Sequence, residues 1–402
     1  MARGTDRQLA AAVVATVATA ALLLAGCSKA SDGGAASPPA ATSTSTAAVR
    51  PDDSLKLNQI QVVGTHNSYH QAATGKEHQL LVDLNPEQAA QRTYTHPPLP
   101  TQLGEQKARQ LEIDVYADSR GGLYATPSLR RQAGLPPYLD QFPEMAEPGT
   151  KVLHEQDVDY HSVCPVFVGC LKQIKAWSDA HPDHVPLAID VDFKDGPLIF
   201  AVPDQAKPEK WTSEAMDGLD AEIRSVFPAR DIITPEQVRH GHQTLEEGVL
   251  DGGWPTLGDS RGKVIFLMAN GQPYPSIYAA GHPNLDGRIM FIGVAPGQPD
   301  ASYIDVDDPV AGAKEITDLV RKGYLVRTRA DANEVEAKAG DSSRLEAALR
   351  SGAQWISTDY PGPDGAKGAL GTHYIGELPG FLSARCNPIT APKGCRDVAV
   401  EP

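Results

Sequence analysis

QLEIDVYAD, residues 110–118, alternates apolar and polar side chains and ends in ionisable ones. That is the signature of a strand with one face packed on apolar neighbours and the other carrying chemistry. Glu112 and Asp114 stand two residues apart, so both point to the same face, opposite Leu111, Ile113 and Val115. The same design recurs. GTHNSYH (64–70) carries His66 and Asn67, KVLHEQD (151–157) carries His154, and PLAIDVDFKD (186–195) carries Asp190 and Asp192. Each is a short apolar run that breaks into polar residues at its C-terminal end. Further strands are expected at 263–268, 288–294, 324–329 and 355–358, with the first four at 59–64, 110–116, 151–154 and 187–192. Helical patterns at 170–180, 213–227, 307–322 and 342–351 lie between several of them. Strands alternating with helices imply a parallel sheet, and eight strands imply an α/β fold of the TIM (β/α)8 barrel type. In such a barrel the C-terminal strand ends share one mouth, so these polar residues converge there.

The chain has 402 residues, 41% of them apolar, enough for one large core. A formal charge of −15 argues against a nucleic-acid surface. No strand is followed by GxGxxG or GxxxxGK[ST], so no nucleotide cofactor is expected. Residues 1–26 read as an export signal: Arg3 and Arg7 precede an apolar run ending LLLAGC (22–27). Small residues before a cysteine resemble the lipobox of bacterial lipoproteins, which would make Cys27 the lipid acceptor. A spanning anchor or an ordinary secretory signal is the alternative. Residues 27–52 are rich in Ser, Thr, Ala and Pro and are expected to form a disordered tether, spanning roughly 25–30 Å as a flexible coil. Residues 53–402 then form a single barrel domain. Export implies an oxidising compartment, so the remaining four cysteines are expected to pair locally, as Cys164–Cys170 and Cys386–Cys395. The second bridge would pin the Gly- and Pro-rich tail. A structural zinc is the alternative, although the spacings are not those of a zinc site.

Burying Glu112 beside Asp114 is unfavourable unless a cation neutralises them. All-oxygen ligation favours Ca2+, with Mg2+ second, over Zn2+. Asn67 and Asp192 would complete the protein's share of the ligands; a salt bridge to an inward base such as Lys194 is the competing reading. His66 and His154, each ending a strand, suit proton transfer near neutral pH. His70 and His161 read as loop or rim residues. Lys194, Arg327 and Arg329 are candidate phosphate partners, and interior ion pairs explain the two arginines equally well. Asp359 either orients a catalytic base or merely ends the last strand.

GTHNSYH, RQLEIDV (109–115), VLHEQDVDYHSVC (152–164), PLAIDVDFKD and ISTDYP (356–361), in that order, resemble the motif series of bacterial calcium-dependent phosphoinositide phospholipase C enzymes, within the wider phospholipase-C-like phosphodiesterase superfamily. The resemblance runs from about Leu57 to Pro361. It implies that His66 and His154 are the paired catalytic histidines and that Asn67, Glu112, Asp114 and Asp192 hold calcium. The last ligand is commonly Glu in related enzymes; here it is Asp192. The implied reaction is attack of the inositol 2-hydroxyl on phosphorus, releasing diacylglycerol and a cyclic inositol phosphate from a phospholipid at a membrane surface. His154 would protonate the leaving oxygen, and His66 would act as base or bind phosphate. Two rivals stand beside it: a glycerophosphodiester phosphodiesterase, and a catalytically silent headgroup-binding module. The expected setting is an exported, monomeric, cell-surface lipoprotein or its released form.

Overall fold

A computed structural model describes residues 51–199 and 201–401, which belong to one compact unit. Eight strands build its centre: β1 Ile60–Thr65, β2 Gln110–Tyr116, β3 Leu187–Phe193, β4 Val264–Met268, β5 Met290–Ile292, β6 Tyr303–Asp305, β7 Leu325–Arg329 and β8 Trp355–Thr358. All neighbours are parallel. β1 pairs with β8 and β2, β2 with β3, β3 with β4, and β4 with β5. β6 pairs with β7 and β7 with β8. A bridge between Gly293 and Tyr303 joins β5 to β6 and completes the ring. Around the ring lie α1 Gly75–Leu84, α2 Phe167–Ala180, α3 Ser213–Val226, α4 Ala313–Lys322 and α5 Ser343–Ser351, with shorter helices between.

The expected fold class and strand number hold, but the segment expected as a barrel strand at 151–154 is not one. Lys151–Val152 pairs antiparallel with Val115 and Tyr116 at the end of β2, so it is no part of the parallel ring. The eighth place belongs to Tyr303–Asp305. The helix expected from Asp307 begins at Ala313, because Asp308 accepts from the Val310 and Ala311 amides and holds a turn there. The expected signal at 1–26, Cys27 and the tether to residue 50 lie outside the described residues. Residues 51–53 form a 3-10 turn in which Asp52 pairs with Arg261 at 2.7 Å, so the folded part begins before residue 53. No helix among the described residues is long and apolar enough to cross a membrane.

The two faces of β2 separate structure from chemistry. Leu111, Ile113 and Val115 are fully buried in the main apolar cluster with Leu171 and Ile174 of α2. The other face turns inward, and the barrel centre is polar. Arg327 on β7 donates to Glu112 on β2 at 2.5 Å, to Asp305 on β6 at 3.1 Å and to Ser357 on β8 at 3.0 Å. A third carboxylate, Asp307, takes another of its hydrogens at 2.6 Å. One planar guanidinium with five donors thus ties three barrel strands together.

β1 and β2 approach closely at Gly64. A Cβ there would lie 2.4 Å from the Gln110 carbonyl oxygen and 2.3 Å from its side-chain oxygen. Gln110 cannot retreat freely, since Ser357 Oγ donates to it at 2.8 Å. Gly64→Ala should therefore destabilise the domain by about 1–3 kcal/mol through overpacking, read as a lower denaturation midpoint at unchanged m-value. An unchanged midpoint would contradict this close approach.

Both expected disulfides are present, Cys164–Cys170 and Cys386–Cys395. The tail closes the end of the barrel opposite the mouth. Arg385–Cys386 pairs antiparallel with Ile60–Gln61, and the Glu401 carboxylate accepts from Arg109 Nε at 2.9 Å and from the Val185 amide at 3.0 Å.

Candidate active site

β1 ends at Thr65, and the chain turns at once: Asn67 adopts φ 44°, a left-handed conformation that Asn tolerates better than most residues. This turn sets His66 over the mouth. His66 Nδ1 lies 2.7 Å from Asp359 Oδ1, just beyond β8. Because a carboxylate only accepts, Nδ1 carries the hydrogen and Nε2 is left bare. Arg329 Nη2 also lies 3.3 Å from that nitrogen, but its Asp359 Oδ2 contact at 3.2 Å is the compatible one. Burial first, then the Arg329 charge, holds His66 well below its ordinary pKa, so the ring is neutral at neutral pH.

Asp359 is itself held from behind. Its amide donates to Asp331 Oδ1 at 2.9 Å, and the other Asp331 oxygen accepts from Tyr374 OH at 2.9 Å. Burial, with the nearby Asp359 charge, pushes Asp331 up to about 7.

His154 reaches the same cavity by a different route. It follows the short antiparallel strand Lys151–Val152, and its Nδ1 lies 2.7 Å from Asp159 Oδ2. Asp159 is almost wholly buried. Burial opposes its ionisation, yet the His70 and His154 contacts outweigh that and hold the carboxyl well below its ordinary range. The cavity of about 320 Å³ between the two histidines is lined also by Asn67, Arg92, Tyr94, Arg329 and Asp359.

Below His66 lies the carboxylate group. His66 Nε2 is 3.7 Å from Glu112 Oε1, and oxygens of Glu112, Asp114 and Asp192 lie within 4.8 Å of one another. Asp114 is fully buried, and neither of its oxygens receives a hydrogen bond. Lys194 Nζ stands 3.3 Å from Oδ2 without the alignment of one. Burial, then the Asp192 and Glu112 charges, pushes the Asp114 carboxyl well above its ordinary value despite Lys194. Lys194 is the inward base of the salt-bridge alternative, yet one ammonium faces three carboxylates, an imbalance that a divalent cation relieves, and oxygen donors suit a hard ion. The donor set fits calcium. Asn67 Nδ2 donates to Tyr94 OH at 2.8 Å, and its Oδ1, which accepts from Tyr69 OH at 3.4 Å, keeps a second lone pair to offer as a neutral fourth oxygen. Asn270, unremarkable in sequence, bonds Asp192 Oδ1 and the Phe193 amide, and so fixes the Asp192 carboxylate.

The three candidate phosphate partners separate. Arg329 lines the cavity, and its buried Nε has no hydrogen-bond partner. Arg327 is committed to Glu112, Asp305 and Asp307 in the barrel centre, the ion-pair alternative. Lys194 is paired with Asp192 and Asp114, which raises its pKa although burial opposes this. His70, expected as a loop or rim residue, lies in a loop but is fully buried rather than at the rim. His161 does sit at an edge, with Nε2 2.8 Å from Glu77. Asp159 escaped sequence reading because it lies in an aperiodic loop. Asp359 was legible as one of two alternatives.

A model of the family described as "Phosphoinositide phospholipase C, Ca2+-dependent" matches residues 55–388. No curated protein matches. Among solved structures, a calcium-dependent phosphatidylinositol-specific phospholipase C from Streptomyces antibioticus is similar at 19% identity and TM-score 0.48, covering 76% of this chain and 95% of its own. A calcium-dependent phosphoinositol-specific phospholipase C from a Gram-negative Pseudomonas, in apo form, is similar at 16% identity and TM-score 0.47, covering 77% and 92%. Its myo-inositol complex gives 17% and 0.46, covering 76% and 90%.

Proposed function

Because this chain belongs to the calcium-dependent phosphoinositide phospholipase C family, we propose that it cleaves phosphatidylinositol-type lipids by internal attack of the inositol 2-hydroxyl. The observation that carries this reading is the pairing of His66 and His154 across one cavity, each with Nδ1 on a buried carboxylate. Each ring therefore presents Nε2 for proton transfer. Neutral His66 accepts the 2-hydroxyl proton at Nε2 as the new P–O bond forms. His154, its Nδ1 held on Asp159, gives a proton from Nε2 to the glyceryl oxygen as the old P–O bond breaks. The products are diacylglycerol and a cyclic inositol phosphate. Arg329, which lines this cavity, would bind phosphate oxygens.

Asn67, Glu112, Asp114 and Asp192 would hold the calcium ion. When bound, that ion would lower the hydroxyl pKa and offset charge developing on phosphate. We further propose lipidation at Cys27 and action at the cell surface, with the domain working as a monomer; the export motif supports the first two.

Comparing turnover of phosphatidylinositol with that of glycerophosphoinositol tests the substrate. The proposal expects the intact lipid to be preferred. Preference for the deacylated diester would move the activity to the glycerophosphodiesterase class, and binding without cleavage of either would leave only a headgroup-binding module.

A further inference from the structure

The loops that carry the two proposed catalytic histidines are zipped together. Val163 N donates to Tyr69 O at 2.9 Å, Gln71 N to His161 O at 3.3 Å, and His70 pairs with Ser162 in an isolated antiparallel bridge. One side chain crosses this seam to the acid behind His154. His70, fully buried, places Nε2 3.0 Å from Asp159 Oδ1 and Nδ1 3.1 Å from the Tyr94 carbonyl oxygen. Its ring also packs against Tyr94 at 4.4 Å between centroids. Both partners can only accept, so both His70 nitrogens must carry hydrogen for these contacts to be hydrogen bonds.

The consequence falls on His154. His70 Nε2 straddles the Asp159 carboxylate, 3.0 Å from Oδ1 and 3.2 Å from Oδ2, and Oδ2 also takes His154 Nδ1 at 2.7 Å. Arg92 Nε stands 3.6 Å from Oδ2, and its head is turned to Glu155 at 3.0 Å. A carboxylate gripped in this way cannot rotate without losing the His70 contact. Oδ2 is therefore kept where it fixes the tautomer and tilt of the His154 ring.

We propose that His70 is a positioning residue for general acid catalysis: through Asp159 it holds His154 with Nε2 presented to the leaving oxygen. This rests on the phospholipase reading above and deepens it. His70 touches neither substrate nor reacting atoms. Its link also joins the THNSY loop to the HEQD loop, so the acid's alignment is set from the segment that carries the base.

The leaving group separates this role from a structural one. Diacylglycerol departs as an alkoxide and needs a proton, whereas nitrophenolate departs without one. His70→Asn should lower kcat on phosphatidylinositol by about 10- to 100-fold through misplacement of the acid. On p-nitrophenyl inositol phosphate it should lose less than about threefold, because that substrate bypasses the acid. Asp159→Asn should show the same split, and the double variant should be no worse than the poorer single one. Equal losses on both substrates, or none on either, would overturn the proposal.

Two further controls separate it from the readings it rests on. An unsubstituted protein that cleaves neither substrate defeats the phospholipase reading itself. A His154→Ala variant without leaving-group discrimination defeats the acid role rather than that of His70. Should substitution at position 70 unfold the domain, the unsubstituted protein decides. Long-range 15N–1H spectra should show hydrogen on both His70 nitrogens and on His154 Nδ1. A bare nitrogen in His70, or a bare Nδ1 in His154, would overturn the proposal.

Discussion

His154→Ala should lower phosphatidylinositol turnover by about 100- to 10,000-fold, the range over which a positioned proton donor contributes. The side chain is partly exposed at the cavity and its nearest polar partner is Asp159, so truncation removes an acid and leaves the barrel strands untouched. KM should move little and the melting temperature less than for a core substitution. His66→Ala should be comparably slow, yet the two should be distinguishable. Loss of His66 removes the acceptor for the attacking hydroxyl and persists with a nitrophenolate leaving group. Loss of His154 is largely repaired by that leaving group. Steady-state kinetics on the two substrates, with thermal melting in parallel, reads all of this. Full activity in His154→Ala would remove it from the mechanism.

Calcium should raise the thermal stability of the protein, and Asp114→Asn should abolish that rise. A ligand that binds only the folded state stabilises it by about 2.7 kcal/mol at a hundredfold excess over Kd. Asp114 is where the dependence should be sharpest, because it is fully buried with no hydrogen bond to either oxygen. The calcium-free protein carries a second signature. Burial and the neighbouring acids raise the folded-state pKa of Asp114 above its unfolded value. The folded state then binds more protons than the unfolded one, and stability falls as pH rises from the ordinary carboxylate pKa toward the raised one. Asp114→Asn should lose this fall together with the calcium response. Differential scanning fluorimetry across pH, with calcium and with chelator, measures both without any turnover. A calcium shift that survives Asp114→Asn would place the ion elsewhere.

The parts of the site on barrel strands were legible because strand geometry is simple. Glu112 and Asp114 share a face by the two-residue period, and the ends of β1, β2 and β3 converge because the sheet closes. His154 reaches the mouth although it ends no barrel strand. Its apolar run, Lys151–Leu153, looks like a barrel strand, but only Lys151 and Val152 pair, and they run antiparallel. The true eighth strand, Tyr303–Asp305, follows the Pro- and Gly-rich stretch 295–300 and is three residues long, too short for its alternation to register. His70 and Asp159 lie in loops, where no period reports burial. Their partnership spans 89 positions and depends on the zipped seam, which only the folded backbone reveals. Arg327 was legible as a charge near a strand end. Its place among three carboxylates depends on strands from opposite sides of the ring.

The most direct test follows phosphatidylinositol in mixed micelles by 31P NMR, with calcium, with chelator, and after calcium is restored. The account predicts that a cyclic inositol phosphate resonance grows with calcium, stops on chelation and resumes on restoration, while diacylglycerol accumulates in parallel. Cleavage indifferent to chelation, or an acyclic phosphate as the first product, would contradict it.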